Sequence, residues 1–298
     1  MTVAGEEAVQ VLDCLDALGI SSAEVCGRLG LARSGLGAPG TRVSRVLFDA
    51  VFLTAAEMSQ DALLGLHAGM AKTPSDLLFF VAMSQPSLGG ALREYTRLSR
   101  VADDSLTARL DAHGAVAWFR VTDSKATSPD ALRHELEYLA GQVTQYLALA
   151  TRGACRALEV RFPHPPGGST TEYERLLGTP IRFRQSTLAI GIRIVDLDMP
   201  VATANPAIAR LTRDAAAQQL HAALSRSFRA RVEMALRQRI SEACDHSRAG
   251  VAALLATSVS TLQRRLHDED CSFREVRDEV RRAVAEDLLG RSDRSISE

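Results

Sequence analysis

The sequence contains Ser258-Val259-Ser260-Thr261-Leu262-Gln263-Arg264-Arg265-Leu266-His267, a run that helical spacing divides into two faces. Val259, Leu262 and Leu266 recur at i, i+3 and i+7, so they share one apolar side of the predicted helix. The opposite side carries Ser260, Gln263, Arg264 and His267. Ser258 precedes the first turn and has the side chain of an N-cap. The run therefore predicts a helix that is buried on one side and offers hydrogen-bonding groups on the other.

A helix of this kind suits the major groove of DNA, where base edges present donors and acceptors. Glutamine can pair with adenine and arginine with guanine, so we predict direct base contacts for Gln263 and Arg264. Thr261 and Arg265 lie on the flank, where phosphate contacts are expected. The full predicted set of DNA-contacting residues is Ser258, Ser260, Thr261, Gln263, Arg264, Arg265 and His267. The alternative is an amphipathic surface helix without this function, because the pattern alone is not specific.

The residues around this run predict two neighbouring helices. Upstream, a helix capped by Ser247 carries Val251, Leu254 and Leu255, and the step Ala256-Thr257 makes the turn into the polar run. Downstream, Ser272 and Glu275 form a capping box at the start of a longer helix. The apolar side of that helix is formed by Val276, Val280 and Val284, and Gly290 is expected to end it.

This part of the chain resembles the AraC/XylS family of bacterial transcription regulators. The resemblance covers residues 251–266, then Ser272-Phe273-Arg274-Glu275, the helix 280–289 and the final Ser295-Ile296-Ser297-Glu298. It implies two helix-turn-helix units joined by the helix 272–289. Ser295 to Glu298 has the pattern of a helix start, so we expect the chain to stop before the second unit. Two positions depart from the family: Ala256 stands where glycine is usual, and Gly250 inside a helix is expected to cost ~1 kcal/mol against alanine.

The N-terminal part resembles the arabinose-binding domain that precedes such DNA-binding domains in regulators of the ornithine-utilisation type. The matching segments are residues 64–69, 84–95 and 180–183. The resemblance implies a domain that senses a small-molecule effector or mediates self-association, without implying arabinose as the effector. The partners it implies are promoter DNA, an effector, a second copy of the chain and, for an activator, RNA polymerase.

Periodicity predicts an α+β N-terminal domain. The residue pattern is helical up to about Arg100. It predicts a hairpin between Leu106 and Val121 around the turn 111–114, and then a helix from Pro129 to about Arg152. A strand at 158–162, a helix at 170–177 and a strand at 181–194 complete a β-β-α-β-α-β layer. We therefore predict an effector and dimerisation domain at residues 1–204. Residues 196–206 are expected to lead from this domain into a linker helix region at 205–225. An all-α partial DNA-binding domain at 226–298 follows.

Composition limits the other classes of function. The chain has 298 residues, is 46% hydrophobic and carries a net charge of -1, so DNA binding must rest on a local cluster of arginines. The acidic N-terminus and the absence of an apolar run of ~18 residues predict a cytoplasmic protein without membrane contact. The 5 cysteines are odd in number and never form CxxC, which argues against disulfides and a structural zinc site.

The sequence predicts no enzyme, cofactor or metal site. No Ser, Cys or Lys lies in an activating motif, and no acid and base pair is evident. Trp118, on the hairpin, has two interpretations: core packing or the lining of a ligand pocket. Asp103 and Asp104 are expected on the solvated surface. Two alternative functions stay open. One is a truncated effector-binding protein that dimerises without binding DNA, and the other is an enzyme whose active site lies in the α+β layer.

Overall fold

The structure is a computed structural model that describes residues 1–38, 40–71, 76–123, 126–226, 228–242, 244–267, 269 and 271–291. The side chains of residues 123, 220–226 and 286–291 lie outside this description. The predicted helix start at Ser295 therefore also lies outside it. The chain divides into two compact units, an N-terminal unit from Met1 to Leu220 and a C-terminal unit from His221 to Glu298.

The N-terminal unit combines helices with two sheets. Its helices are α1 (Gly5–Ala17), α2 (Ser22–Leu29), α3 (Arg45–Ser59), α4 (Leu64–Ala71), α5 (Leu77–Met83), α6 (Leu88–Ala102), α7 (Pro129–Ala150), α8 (Thr170–Leu177) and most of α9 (Pro206–Arg226). Its strands are β1 (Thr2–Ala4), β2 (Arg42–Ser44), β3 (Leu106–His113), β4 (Val116–Asp123), β5 (Glu159–Arg161), β6 (Ile181–Arg182) and β7 (Leu188–Arg193). The described helices include none that is long and apolar enough to span a membrane.

The first hundred residues form a helical lobe, as predicted, but the lobe also contains a small two-stranded sheet that was not predicted. β1 pairs antiparallel with β2, and Val3 lies opposite Val43. Both valines are buried in a core that α1, α2, α3 and α4 complete. Three-residue strands are too short to show alternation, so only the contact between distant segments stabilises this pairing.

Five strands form the second sheet, in the order β3-β4-β7-β5-β6. All neighbours are antiparallel except β5 and β6. The predicted hairpin is confirmed, although its turn lies at Gly114 and Ala115, just after the expected position. The prediction of one strand from Ile181 to Ile194 is wrong. Residues 183–187 do not belong to a strand. The chain therefore forms β6 at the edge of the sheet, passes β5 and forms β7 on the other side of β5.

Trp118 does not lie in the core of the sheet, which was one of its two predicted positions. Its neighbours Ala117 and Phe119 point into the core, so the indole lies on the other face of the sheet. There it is half-buried, packs against the Gly191 backbone and lies under the Arg161 guanidinium, whose carbon is 3.9 Å from the ring centroid. The tryptophan therefore covers the outer face of the sheet.

The prediction of a long helix after Ser128 is confirmed. The Ser128 hydroxyl accepts the N–H of Ala131 at 3.1 Å, and Pro129 occupies the first turn. The helix ends at Ala150, near Gly153, which has a φ of 81°. α7 contributes to both large cores of the unit, with Leu136 and Val143 in one and Tyr138 in the other. It is the central helix of the N-terminal unit.

Glycines allow α4 and α7 to cross at backbone contact distance. A Cβ on Gly65 would overlap the carbonyl oxygen of His134, and a Cβ on Gly69 would overlap that of Tyr138. On α7, a Cβ on Gly141 would lie 2.9 Å from the carbonyl carbon of Gly69. Real Cβ atoms do not come so close to backbone, so these three positions require glycine.

A buried arginine links three segments of the N-terminal unit. Arg45, at the start of α3, bonds through Nε to Asp49 at 2.7 Å and through Nη1 to Asp103 at 2.7 Å, and it also pairs with Glu135 of α7. Its side chain is 4% exposed. The expectation that Asp103 lies on the surface is therefore wrong, because the end of α6 is folded against α3 and α7. Asp104 is only partly exposed and accepts the N–H of Thr2 at 2.9 Å.

The segment after β7, which the sequence suggested as the entry to a linker, is packed against the unit. The backbone N–H of Ala202 donates to the carbonyl of Ala150 at 2.7 Å, and the Thr203 hydroxyl donates to the carbonyl of Met83 at 2.7 Å. Val201 is 3% exposed. The N-terminal unit then continues into α9, where Ala216 is buried beside residues of α5 and α6. Compact packing thus extends beyond residue 204, to Leu220.

The C-terminal unit is helical wherever it has regular structure in the described residues. It contains α10 (Phe228–Ser241), α11 (Arg248–Leu254), α12 (Val259–His267) and α13 (Phe273–Arg291). The predicted capping box is confirmed: Ser272 N–H donates to Glu275 at 2.7 Å, and Glu275 N–H donates to the Ser272 hydroxyl at 3.2 Å. The expected stop at Gly290 is wrong, because α13 continues through it to Arg291.

Candidate nucleic-acid interface

The predicted DNA-contacting residues lie on α12 and its cap, directly after the short helix α11, and a serine caps each of the two helices. The Ser247 hydroxyl accepts the N–H of Gly250 at 3.2 Å and starts α11. The Ser258 hydroxyl accepts the N–H of Thr261 at 3.0 Å and starts α12. The residues between them make a tight turn, in which Ala256 adopts a left-handed φ of 50°. Local sequence therefore sets the start of both helices.

One side of α12 is anchored in the core of the C-terminal unit. Leu262 and Leu266 are completely buried, together with Val251 of α11 and Val276 of α13. Val259 was predicted on the same apolar side, but it is 37% exposed. Val259 is the first residue of α12 and directly follows the loop that connects α11 to α12. The buried stripe is therefore shorter than the sequence indicated.

The other side of α12 carries exposed polar side chains. This set contains Ser260, Gln263, Arg264 and His267. Because Leu262 and Leu266 are buried on the opposite side of the helix, these four residues face away from the core of the unit. Hydrogen-bond donors and acceptors of several kinds are thus presented together along one exposed helix face.

The remaining predicted contacts have local partners. The Ser258 hydroxyl donates to Thr261 Oγ1 at 2.9 Å, so both hydroxyls belong to the cap of α12. Arg265 is exposed, and its guanidinium carbon lies 5.3 Å from the centroid of the Phe228 ring. Phe228 begins α10, which places Arg265 on the flank of α12 that faces the start of that helix. The structure therefore separates Arg265 from the face that carries Gln263 and Arg264.

The start of α10 is fixed by Glu269, a residue for which the sequence predicted no role. The Glu269 carboxylate accepts the backbone N–H groups of Phe228 at 2.6 Å and of Arg229 at 2.9 Å. A carboxylate at a helix N-terminus satisfies unpaired N–H groups and stabilises the helix dipole. Glu269 follows α12 directly, so this contact ties the end of α12 to α10. No local pattern could have revealed a partner 41 residues away.

The expectation that Gly250 weakens its helix is wrong. Gly250 lies in the first turn of α11, and a Cβ there would overlap the carbonyl oxygen of Asp245 and come within 2.8 Å of its Oδ2. Asp245 is held in place by the N–H and hydroxyl of Ser247, at 2.8 and 2.9 Å. Glycine is therefore required by this close approach, and alanine would be the less stable residue.

The second departure, Ala256, leads to a testable prediction. A residue with a Cβ costs roughly 1–2 kcal/mol in the left-handed conformation, whereas glycine adopts it freely. Ala256→Gly should therefore raise the free energy of unfolding of the C-terminal unit by up to about 1 kcal/mol, after allowance for the larger entropy of an unfolded glycine. Chemical denaturation measures this change. The matched control is Ala253→Gly in α11, which should lower stability by about 1 kcal/mol; equal losses in both variants would contradict the strain at Ala256.

Acid and base side chains also meet inside the N-terminal unit, on α7. Tyr173 donates to Glu137, and the Gly65 N–H donates to His134 Nδ1 at 3.3 Å. Burial raises the pKa of Glu137 to about 7. Burial and the neighbouring Arg133 lower the pKa of His134 to about 4. Glu137 is fully buried and His134 is 2% exposed, so this network connects α4, α7 and α8 in the interior of the unit.

The described residues of the N-terminal unit line, among other spaces, a pair of small cavities. One is bordered by Glu7, Glu135 and Tyr138, and the other, which is apolar, by Met83 and Phe119. Tyr95 borders both. Each has a volume of about 20 Å³, the size of one water molecule. In the described part of the chain, no group of three or more His, Cys, Asp or Glu side chains is placed to hold a metal ion.

Comparison with solved structures first shows which known fold this chain resembles. The fold is similar to the crystal structure of the transcriptional regulator CdpR from Pseudomonas aeruginosa, with a TM-score of 0.51. The sequences are 20% identical, and the alignment covers 92% of this chain and 86% of that chain. At this identity the likeness concerns the fold alone. None of the curated proteins matches the chain.

A match to a protein family then shows to which family the chain belongs. Residues 19–201 match the N-terminal arabinose-binding domain of AraC transcription regulators. The match spans more than half of the chain. The protein therefore belongs to this family and is an AraC-type regulator, which confirms the resemblance in its N-terminal part.

Proposed function

We propose that this regulator binds promoter DNA in a sequence-specific manner through α12, with α11 and α12 acting as a helix-turn-helix. The observation that carries the proposal is the division of α12 into a buried side, with Leu262 and Leu266, and an exposed polar side, with Gln263 and Arg264. A helix in the major groove needs both: a side docked on its own protein and a side that reaches base edges.

The roles within α12 follow from geometry. Gln263 and Arg264 are exposed next to each other on the middle turns, and their side chains can make bidentate contacts with adenine and guanine. Ser260 and His267 extend the same face by one turn in each direction. Arg265 lies on the flank near Phe228, where a guanidinium contacts phosphate rather than bases. The capped N-terminus of α12 offers backbone N–H groups to a second phosphate.

We further propose that the N-terminal unit binds a small-molecule effector and forms a homodimer. An effector can change transcription only if it binds one arrangement of the two DNA readers better than another. The family membership of residues 19–201 supports a sensory role, and the separate core of this unit supports independent folding. Contact with RNA polymerase belongs to the same proposal if the protein is an activator.

Selection from a library of randomised DNA duplexes tests the reading face. The chain should enrich one sequence motif, and Arg264→Ala and Gln263→Ala should each weaken binding to that motif by about 1–3 kcal/mol and relax base preference at one position. Arg265→Ala should weaken binding to all DNA alike and reduce the salt dependence by about one phosphate contact. Each dissociation constant is measured at two or more salt concentrations.

The control is Arg175→Ala, which removes an exposed arginine of α8 in the N-terminal unit and should leave DNA binding unchanged. Equal losses for Gln263→Ala, Arg264→Ala and Arg265→Ala, with no change in base preference, would contradict the proposed reading face. A chain that dimerises but enriches no motif would instead support the alternative, an effector-binding protein without competent DNA binding.

A further inference from the structure

The strand β3 forms one edge of the five-stranded sheet. In the described residues it pairs only with β4, along all eight positions from Leu106 to His113. The opposite edge, β6, has only two residues. A long edge strand presents a row of backbone N–H and C=O groups that can pair with another strand. β3 contains no proline or bulge, two of the features that prevent such pairing, and its two charged side chains, Arg109 and Asp111, have opposite signs.

The hairpin geometry shows which peptide groups face outward. A two-residue turn places a doubly hydrogen-bonded pair, here His113 and Val116, next to it, and such pairs then alternate along the ladder. The Ile194 N–H donates to the Ala115 carbonyl at 2.9 Å on the other side of β4, which fits the same alternation. The peptide groups of Ala108, Leu110 and Ala112 therefore point away from β4.

We propose that β3 pairs antiparallel with β3 of a second copy of this chain, so that the two sheets join across a twofold axis at Leu110. This inference rests on the homodimer of the proposed function and names its interface. Leu110 would lie opposite Leu110 of the second copy, and Ala108 opposite Ala112 of the second copy. Ala108 and Leu110 are only partly buried against the main core, so pairing would cover their remaining exposed surface.

Charge selects this register. Centred on Leu110, the pairing places Arg109 opposite Asp111 of the second copy, and the twofold axis repeats the contact. A shift that centres the axis on Arg109 or on Asp111 would place like charges directly opposite each other, which is unfavourable in a sheet. Within one chain Arg109 lies opposite Arg120, and Arg120 Nε lies 3.2 Å from Asp111 Oδ2. The Asp111 carboxylate has enough acceptor sites for both arginines.

Sedimentation over a dilution series tests the interface through a charge exchange. Arg109→Asp and Asp111→Arg should each raise the dimer dissociation constant at least tenfold, because each places like charges across the axis. The double variant Arg109→Asp/Asp111→Arg should restore the dimer, since the opposite charges face each other again. Ala108→Pro removes an outward N–H without removing a bond to β4, so it should also weaken the dimer. Arg175→Glu, on α8, serves as the control and should have no effect.

Any of three results would overturn the interface. One is a dimer that resists both single substitutions and Ala108→Pro. Another is a double variant that stays as weak as the folded single variants, with folding checked by thermal unfolding. A wild-type chain that stays monomeric at all concentrations would also reject it. The DNA-binding part of the proposed function is tested separately, since motif enrichment by such a monomer would leave α12 as the reader and remove only the dimer.

Discussion

Gly65→Ala should destabilise the N-terminal unit by about 3 kcal/mol or more, enough to unfold much of the protein at moderate temperature. The added Cβ would overlap the backbone of His134 in the second turn of α7, and backbone atoms cannot move aside as a flexible side chain can. Gly69→Ala should have a similar effect through the backbone of Tyr138. Either α4 must withdraw from α7, which opens both cores, or the backbone must distort. Equilibrium unfolding in urea, followed by circular dichroism, gives the change in free energy.

The matched control is Gly27→Ala in α2. Gly27 is an exposed helical glycine, and a Cβ at this position meets nothing within 4 Å. Alanine should therefore stabilise the unit by roughly 0.5–1 kcal/mol, because it restricts the unfolded chain and favours the helix. The opposite signs of the two substitutions separate close packing from helix propensity. Losses below ~1 kcal/mol at Gly65 and Gly69 would show that α4 and α7 tolerate a wider separation.

Arg45→Met should lower the free energy of unfolding by about 3–5 kcal/mol. The substitution preserves most of the buried volume but leaves Asp49, Asp103 and Glu135 together in the interior without a cation between them. The Ser105 hydroxyl also loses its bond from Arg45 Nη1, at 2.8 Å. Because these groups belong to α3, the end of α6 and α7, the loss should reduce the cooperativity of unfolding as well as its midpoint.

Arg97→Met provides the comparison for this prediction. Arg97 also pairs with a carboxylate, Glu94, at 2.8 Å, but its side chain is 44% exposed. Exposed ion pairs of this kind contribute less than ~1 kcal/mol, so the control should have a small effect. If Arg45→Met proves as mild as Arg97→Met, the buried carboxylates must find protons or water, and the ion network would not hold the three segments together.

The elements that the sequence predicted well are those whose signals lie within a few residues. α8 has the predicted bounds Thr170–Leu177, and the caps at Ser128, Ser258 and Ser272 bond as expected. The exposed side of α12 was predicted from the same kind of signal, because helical spacing alone separates Gln263 from Leu262. Predictions failed where the deciding contact lies outside the predicted element. Gly250 was judged by helix propensity, although the backbone of Asp245 determines which residue fits there.

Local chemistry thus specified the helices, the hairpin and the polar face of α12, since caps, turns and periodicity act within about one turn of the chain. The pairing of β1 with β2, the division of Ile181 to Ile194 into β6 and β7, and the burial of Asp103 beside Arg45 arise only when distant segments meet. The physical reason is that short strands and buried charges are unstable alone and gain their stability from partners elsewhere in the chain. The edge position of β3 is of the same kind, because it depends on the order in which five strands assemble.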